Sequence, residues 1–231
     1  MVAPYPPRDA IDPALVRTLL TEQVPRWAKL PITPVPHAGN DHRTFRVGER
    51  MIARLPADTD YVPQVRKEQE WLPRLAPGLP LPIPTVVHRG EESASFPAPW
   101  SVYGWIDGRR PDPQRLSDDT AFAEDLASFL VALRRSDAAD GPAPGLHSAF
   151  RGGGVAQWDE QVQRRFTLLS DTDGDRARGI WRDALDAGFD DRPVWVHGDV
   201  AIAVRGARRL AELLASTSAA HVEHSAAVLD A

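Results

Sequence analysis

The hydrophobic pattern of this 231-residue chain changes near residue 107. Before that point, short runs of β-branched and aromatic residues alternate with polar residues, as in strands that bury one face. After it, apolar residues recur every three or four positions, as in the amphipathic helix through residues 122–133. The pattern predicts an α+β protein with a strand-rich lobe over residues 1–106 and a helical lobe over residues 107–231.

A helix start and a hairpin are the first local features. Asp12-Pro13 predicts the beginning of a helix, with an aspartate cap and a proline at the first helical position. Strands around Phe45 and at residues 51–55 form a hairpin, and the loop before it contains Gly39. Such a loop can cover phosphate groups because its backbone N–H groups are free. The alternative is a plain hairpin turn without a ligand.

A charged residue, Arg54, interrupts the second strand of this hairpin. Alternation places Arg54 on the face opposite Ala53 and Leu55, and a permanently charged side chain in an apolar strand requires a partner. The next helix, which begins at Pro63, carries Glu68 inside its apolar stripe. We therefore predict an Arg54–Glu68 ion pair. The pair is either a structural salt bridge or a device that directs Arg54 toward nucleotide phosphates.

The segment Val-Trp-Val-His-Gly-Asp at residues 194–199 is the most informative part of the C-terminal half. A short run of strand-forming residues that stops at a glycine predicts a buried strand leading into a loop. Asp199, directly after it, can accept a proton from a substrate hydroxyl beside a bound nucleotide. The alternative is that Asp199 caps a turn or the next helix.

Two helices are predicted upstream of this segment, at about residues 155–169 and about residues 176–187. The acidic segment at residues 171–175 lies between them. It lacks the terminal glutamate of a calcium-binding loop. We therefore expect a solvated turn there.

Composition excludes several classes of protein. The net charge of −5 argues against a nucleic-acid-binding protein, which usually has a basic face. No apolar run approaches the roughly 20 residues of a membrane span, and the N-terminus lacks the apolar core of a signal peptide. The chain contains no cysteine, which excludes disulfides, thiol catalysis and thiolate metal sites. A cytoplasmic protein is the simplest expectation.

The order of these features resembles that of the aminoglycoside phosphotransferase family, which has a two-lobed protein-kinase-like fold. The similarity extends from about residue 11 to about residue 201. Its most specific pieces are residues 52–56, 67–72, 100–108 and 195–199. The resemblance implies an N-terminal antiparallel sheet lobe that binds nucleotide. Residues 201–231 depart from the family and are rich in alanine, which predicts an atypical helical tail and an incomplete helical C-terminal lobe.

The resemblance implies roles for three charged residues. Asp199 is expected to be the catalytic base that orients the acceptor hydroxyl. Arg54 is expected to replace the usual phosphate-binding lysine, since a guanidinium can bind phosphate in a bidentate manner. Glu68 is then its partner on the helix.

The resemblance also implies nucleotide contacts. Gly39 and Asn40 belong to the phosphate-covering loop, while the Gly104 carbonyl and the Ile106 amide meet the edge of the nucleobase. The implied cofactors are ATP (or GTP) and Mg2+. The implied partners are the nucleotide and a small-molecule alcohol, with neither nucleic acid nor membrane.

Two positions depart from the family pattern. Five residues beyond the base, where the family has a magnesium-binding asparagine, this chain has Val204. About eighteen residues beyond the base, where the family has a metal-binding aspartate, it has Thr217. Because magnesium neutralises much of the transition-state charge in phosphoryl transfer, we expect an incomplete metal site, with no residue assigned as a ligand.

Three functions are consistent with these features. The first is ATP-dependent transfer of the γ-phosphate to a hydroxyl of an aminoglycoside-like antibiotic or a metabolite, which would link the protein to antibiotic resistance. The second is a catalytically impaired pseudokinase or truncated remnant that has lost its magnesium ligands. The third is a scaffold that uses the kinase-like shape alone.

Overall fold

The structure is a computed structural model that describes residues 4–36, 39–108, 120–188 and 192–198. Asp199, Val204, Thr217 and the tail at residues 201–231 lie outside the described residues, so what we expect of them stays a prediction. Within the described ranges, every helix is too short or too polar to traverse a bilayer. The elements, joined by loops and short 3-10 turns, are α1 (Pro13–Gln23), β1 (Ile32–Pro34), β2 (His42–Val47), β3 (Met51–Pro56), α2 (Val62–Leu75), β4 (Val86–Gly90), β5 (Trp100–Gly104), α3 (Thr120–Arg135), α4 (Asp159–Phe166) and α5 (Asp171–Asp186).

The five strands form one antiparallel sheet in the order β1-β2-β3-β5-β4. The predicted hairpin is present, and its turn contains Gly48 at a φ of +60°, a backbone conformation that favours glycine. Strand β3 is central, and Arg54 lies between Thr44 on β2 and Ser101 on β5. The predicted α+β class with an antiparallel sheet is therefore confirmed.

Helix α1 covers one face of the sheet. It begins as predicted, because the Asp12 carboxylate accepts a hydrogen bond of 2.8 Å from the Leu15 amide and Pro13 occupies the first helical position. The apolar side chains that α1 and this face bury together include Val16, Leu19, Leu20, Phe45, Val47, Ala53, Leu55 and Val102. Since side chains alternate along a strand, Arg54 lies on the opposite face.

Helix α2 packs against that opposite face. It buries Val65, Gln69 and Trp71. The Gln69 side-chain amide donates to the Trp100 carbonyl at 2.8 Å and to the Ser101 hydroxyl at 3.0 Å, so the helix is hydrogen-bonded to strand β5. These contacts place Glu68, the neighbour of Gln69, beside the central strands.

The acidic segment at residues 171–175 is helical, and the predicted turn is wrong. Helix α5 begins at Asp171, about five residues earlier than predicted. Ser170 caps it, since its hydroxyl oxygen accepts a hydrogen bond of 3.3 Å from the Asp173 amide. Negative charges in a first turn stabilise a helix through its dipole, which explains why the aspartates start this helix.

The predicted buried strand at residues 194–196 is also wrong. Residues 192–198 contain no strand and pair with no other described segment. Trp195 instead donates from Nε1 to the Asp137 carbonyl at 2.8 Å, and Val196 is 49% exposed. A strand requires a neighbour for its N–H and C=O groups, and the described surroundings of Trp195 are loops and helices.

Candidate functional site

The centre of the site is the ion pair between strand β3 and helix α2. Arg54 Nη1 lies 3.0 Å from Glu68 Oε2, and the two side chains are 25% and 14% exposed. Strand alternation directs Arg54 toward α2, and helical periodicity directs Glu68 toward the sheet. The predicted ion pair is confirmed, whereas its role toward nucleotide stays a prediction.

Tyr103 on β5 is a second partner of Glu68 that sequence reasoning missed. Its hydroxyl donates to the same Glu68 Oε2 at 2.7 Å, and the Arg54 guanidinium carbon lies 5.6 Å from its ring centroid. Burial, followed by the nearby charge of Glu68, raises the pKa of Tyr103 well above its usual range. The phenol therefore stays protonated and remains a donor. Tyr103 lies on this face because it pairs with Ile52 across the sheet, and the sequence alone does not reveal that pairing.

His42 at the start of β2 is another side chain that sequence reasoning missed. Its Nδ1 lies 3.1 Å from Arg54 Nη2, and the residue is 4% exposed. Burial, and then the charge of Arg54, lower the pKa of His42 to about 3. The imidazole is therefore neutral at physiological pH. No local pattern predicts this contact, since the two residues lie on different strands.

The arrangement leaves Arg54 able to bind an anion. A guanidinium has five N–H donors and no acceptor. Glu68 and His42 each take one of these donors, and Arg54 Nε bonds to no residue that the structure describes. The remaining donors can meet phosphate oxygens, whose planar bidentate recognition suits arginine.

The loop at Gly39 and Asn40 is anchored through its carbonyl groups. Arg8 donates to the Gly39 carbonyl at 3.3 Å and also to the Asn40 carbonyl. Both loop residues are exposed, and no atom lies within 4 Å of a Cβ added at Gly39. Their N–H groups donate to no acceptor among the described residues. The loop directly precedes Asp41 and His42, so along the chain it adjoins the histidine that contacts Arg54.

The segment after β5 presents backbone polar groups. The Gly104 amide donates to the Thr85 carbonyl at 2.9 Å, and the Trp105 amide donates to the Arg50 carbonyl at 2.8 Å. Ile106 is 41% exposed, and its amide has no acceptor in the ranges that the structure covers. Gly104 is thus the last residue of the strand whose Tyr103 contacts Glu68, and Ile106 follows two residues later.

The segment that leads to Asp199 in the sequence, residues 192–198, is the last part of the chain that the structure describes. Gly198 has a φ of +74°, and a Cβ there would lie 2.9 Å from the side chain of Arg151, so a larger residue would strain the backbone and displace Arg151. Trp195, four residues before Asp199, lies 4.8 Å from Trp71 between ring centroids. Helix α2 therefore carries both Glu68 and the ring that contacts this segment.

The residues that the resemblance assigns to magnesium do not fit the ion. The described residues contain no group of three or more His, Cys, Asp or Glu side chains that could hold a metal. Magnesium prefers carboxylate and phosphate oxygens, whereas Val204 has no donor atom and Thr217 has only a neutral hydroxyl. We therefore assign no chemical step to a metal.

The sequence matches the model of a known protein family. The sequence model of the phosphotransferase enzyme family matches residues 32–202, which include all seven predicted site residues. No curated protein matches the chain.

Solved structures with the same fold include aminoglycoside and macrolide phosphotransferases. The GDP complex of a mutant aminoglycoside 2'-phosphotransferase-IIIa has a TM-score of 0.62 and 19% identity, and the match covers 82% of this chain and 65% of that one. The GDP and kanamycin complex of APH(2")-IIia has a TM-score of 0.58 and 19% identity, with 80% and 64% covered. Macrolide 2'-phosphotransferase MphH from Brachybacterium faecium has a TM-score of 0.54 and 18% identity, with 83% and 66% covered.

These likenesses show the fold. The chain has the kinase-like fold of aminoglycoside phosphotransferases, as predicted. It spans 65% of the length of the first of these neighbours and 64% of the second.

Proposed function

Because the chain belongs to the phosphotransferase enzyme family, we propose that it transfers the γ-phosphate of ATP or GTP to a hydroxyl group of a small molecule. The observation that carries this proposal is the Arg54–Glu68 ion pair of 3.0 Å. The ion pair orients the guanidinium of Arg54, which is partly exposed on the central strand of the sheet and has unused N–H donors. Two structural neighbours are complexes with GDP, which supports a nucleotide as the ligand.

We propose that residues 1–106 form the nucleotide-binding lobe and residues 107–231 the helical lobe. In this arrangement the nucleobase edge bonds to the Gly104 carbonyl and the Ile106 amide. The phosphates lie beneath the loop at Gly39 and Asn40 and against Arg54. Glu68 holds the arginine but does not touch the nucleotide.

The proposed reaction is a direct transfer. The acceptor oxygen bonds to the γ-phosphorus as the bond from that phosphorus to the bridging oxygen of the β-phosphate breaks. The hydroxyl proton passes to the carboxylate of Asp199, and the nucleoside diphosphate leaves. Arg54 balances negative charge on the transferred group and the leaving diphosphate.

We propose an antibiotic or metabolite that carries a sugar hydroxyl as the acceptor. One neighbour is a complex with kanamycin, and another is named as a macrolide phosphotransferase. Phosphorylation of such an antibiotic would confer resistance. The dependence on ATP or GTP and the absence of cysteine suit a cytoplasmic protein.

Three variants test the proposal. Asp199→Asn removes the proposed base, and we expect phosphate transfer to fall at least about 100-fold. Arg54→Met removes the phosphate contact, and we expect kcat/KM for nucleotide to fall at least about tenfold. Arg66→Met is the matched control. Arg66, on the surface of α2, pairs with Glu91, and both side chains are more than half exposed. Transfer is measured from γ-labelled ATP and GTP to kanamycin, to erythromycin and to water.

The test also has outcomes that contradict the proposal. Full activity of Asp199→Asn would exclude this residue as the base. Equal losses in Arg54→Met and Arg66→Met would exclude a phosphate contact by Arg54. Thermal unfolding of each variant separates loss of chemistry from loss of fold.

The second candidate is a catalytically impaired remnant that binds nucleotide without transferring phosphate. Val204 and Thr217, at the expected positions of the metal ligands, favour it. It predicts that ATP raises the unfolding temperature equally with and without Mg2+, since a ligand that binds only the folded state stabilises it. Magnesium-dependent formation of a phosphorylated product would exclude it.

A further inference from the structure

His42 and Arg54 lie on the same face of the sheet. In the register of β2 and β3, Thr44 is opposite Arg54 and His42 is opposite Pro56. His42 is thus the diagonal neighbour of Arg54, within reach of a long side chain. The distance of 3.1 Å between His42 Nδ1 and Arg54 Nη2 therefore follows from the strand pairing.

The contact is a hydrogen bond because the histidine is neutral. Arginine only donates, so His42 Nδ1 is the acceptor and the ring proton is on Nε2. Burial and the neighbouring charge of Arg54 lower the pKa of His42 to about 3. Two cations would otherwise face each other at this distance.

Glu68 and His42 hold different ends of the same guanidinium. Glu68 bonds to Nη1, and His42 bonds to Nη2. A single contact leaves the planar group free to pivot, whereas two contacts at separate nitrogens fix its plane. Fixing the plane before a ligand arrives lowers the entropic cost of binding.

His42 does not contact a ligand directly. The residue is 4% exposed, and its Nε2 is buried without a hydrogen-bond partner among the described residues. Phosphate could reach Nε2 only if the surrounding side chains moved. Any influence of His42 on nucleotide binding therefore passes through Arg54.

We propose that His42 is a positioning residue, which holds Arg54 Nη2 so that the free guanidinium donors are oriented for nucleotide phosphate. This inference rests on the proposed function and goes one step beyond it. It requires an acceptor at residue 42 and does not require an imidazole. Asparagine places its Oδ1 where histidine has Nδ1, whereas leucine fills a similar space without an acceptor.

The test measures the affinity of the full chain for ATP and for GTP by titration calorimetry in the presence of Mg2+. We expect His42→Leu to weaken binding about tenfold, the scale of one hydrogen bond to a charged group, and His42→Asn to stay within about threefold of the unaltered chain. His88→Leu is the matched control, because His88, located between Trp27 and Trp100, is a second histidine whose buried Nε2 has no partner in the part of the chain that the structure describes. We expect His88→Leu to lower the stability of the fold without changing the affinity for nucleotide.

A double variant shows whether the effect passes through Arg54. In an Arg54→Met background, His42→Leu weakens binding no further if the two residues act together. Additive losses would overturn the inference, as would wild-type affinity of His42→Leu or equal weakening by the Leu and Asn changes. A chain that binds neither nucleotide, or an Arg54→Met variant with unaltered affinity, would overturn the proposed function itself.

Discussion

Arg54 is surrounded by three side chains of different chemistry. Glu68 supplies an opposite charge, His42 a neutral acceptor, and Tyr103 an aromatic ring together with a hydroxyl that also bonds to Glu68. The ion pair is partly exposed, so solvent weakens it. Its value lies in orientation rather than in stability.

The neutral state of His42 predicts a pH dependence of stability. Its pKa is about 3 in the folded protein, compared with the ordinary value of 6.5. Between these values the unfolded chain binds the additional proton, so the free energy of unfolding falls as the pH is lowered from 6.5 toward 3. From pH 6 to pH 4 we expect His42 to contribute a loss of about 2 to 3 kcal/mol.

Chemical denaturation at several pH values measures this loss. His42→Asn cannot titrate, whereas all other ionisable groups are retained. The difference between the wild-type and variant curves therefore isolates the histidine. Parallel curves from pH 6 to pH 4 would contradict the prediction.

Gly90 on β4 is predicted to tolerate no side chain. A Cβ at this position would lie 2.2 Å from the indole of Trp100, its fully buried partner on β5. Because the core cannot accommodate the overlap, we expect Gly90→Ala to cost about 3 kcal/mol or more, as measured by denaturant unfolding. Gly179→Ala on α5 is the control, since no atom lies within 4 Å of its added Cβ. There we expect a gain of up to about 1 kcal/mol from helix propensity.

Among the elements, α2 has the largest part in organising the site. Its inward face combines apolar contacts with the Gln69 hydrogen bonds to β5, and it carries Glu68 on the same side. Lys67 on this helix donates to the His147 carbonyl at 2.9 Å, beyond the sheet. The helix thus contacts both the strands and the segments that follow them.

Helix α1 depends on its cap. The Asp12 carboxylate satisfies the Leu15 amide, which has no partner within the helix. We expect Asp12→Ala to lower the free energy of unfolding by about 1 kcal/mol, and Asp12→Asn to lower it by much less. The unfolding midpoints measure both changes. Equal losses would show that the charge of Asp12 matters more than its hydrogen bond.

At the scale of the whole molecule, aromatic packing links α2 to the segment that precedes Asp199. The rings of Trp71 and Trp195 lie 4.8 Å apart between centroids, and Trp195 also bonds to the Asp137 carbonyl. Trp71 follows Glu68 by three residues, and Trp195 precedes Asp199 in the sequence by four. The contact therefore joins helix α2 to the segment at residues 192–198.

A double-mutant cycle tests this link. We expect Trp71→Ala and Trp195→Ala to be non-additive by about 1 kcal/mol in the free energy of unfolding, since an aromatic pair contributes about that much beyond buried area. Trp71→Ala with Trp105→Ala is the control pair, because Trp105 packs on Arg46 instead. Additivity in the first pair would mean that the two rings contribute independently.

Local patterns in the sequence were sufficient for the hairpin, the start of α1, the position of α2 and the Arg54–Glu68 pair. The start of α1 follows from the cap at Asp12 and the proline after it. The other features depend on which face a residue occupies, and that is set by the period of a strand or a helix. The boundary at residue 107 and the roles of Asp199, Gly39, Asn40, Gly104 and Ile106 stay predictions.

Only the tertiary structure decided the remaining features. The strand order, the access of His42 and Tyr103 to Arg54, and the irregular path of residues 192–198 depend on residues distant in the chain. A local pattern specifies a face but not the neighbour across from it. For this reason the charged pair was readable from the sequence, whereas the neutral histidine that holds it was not.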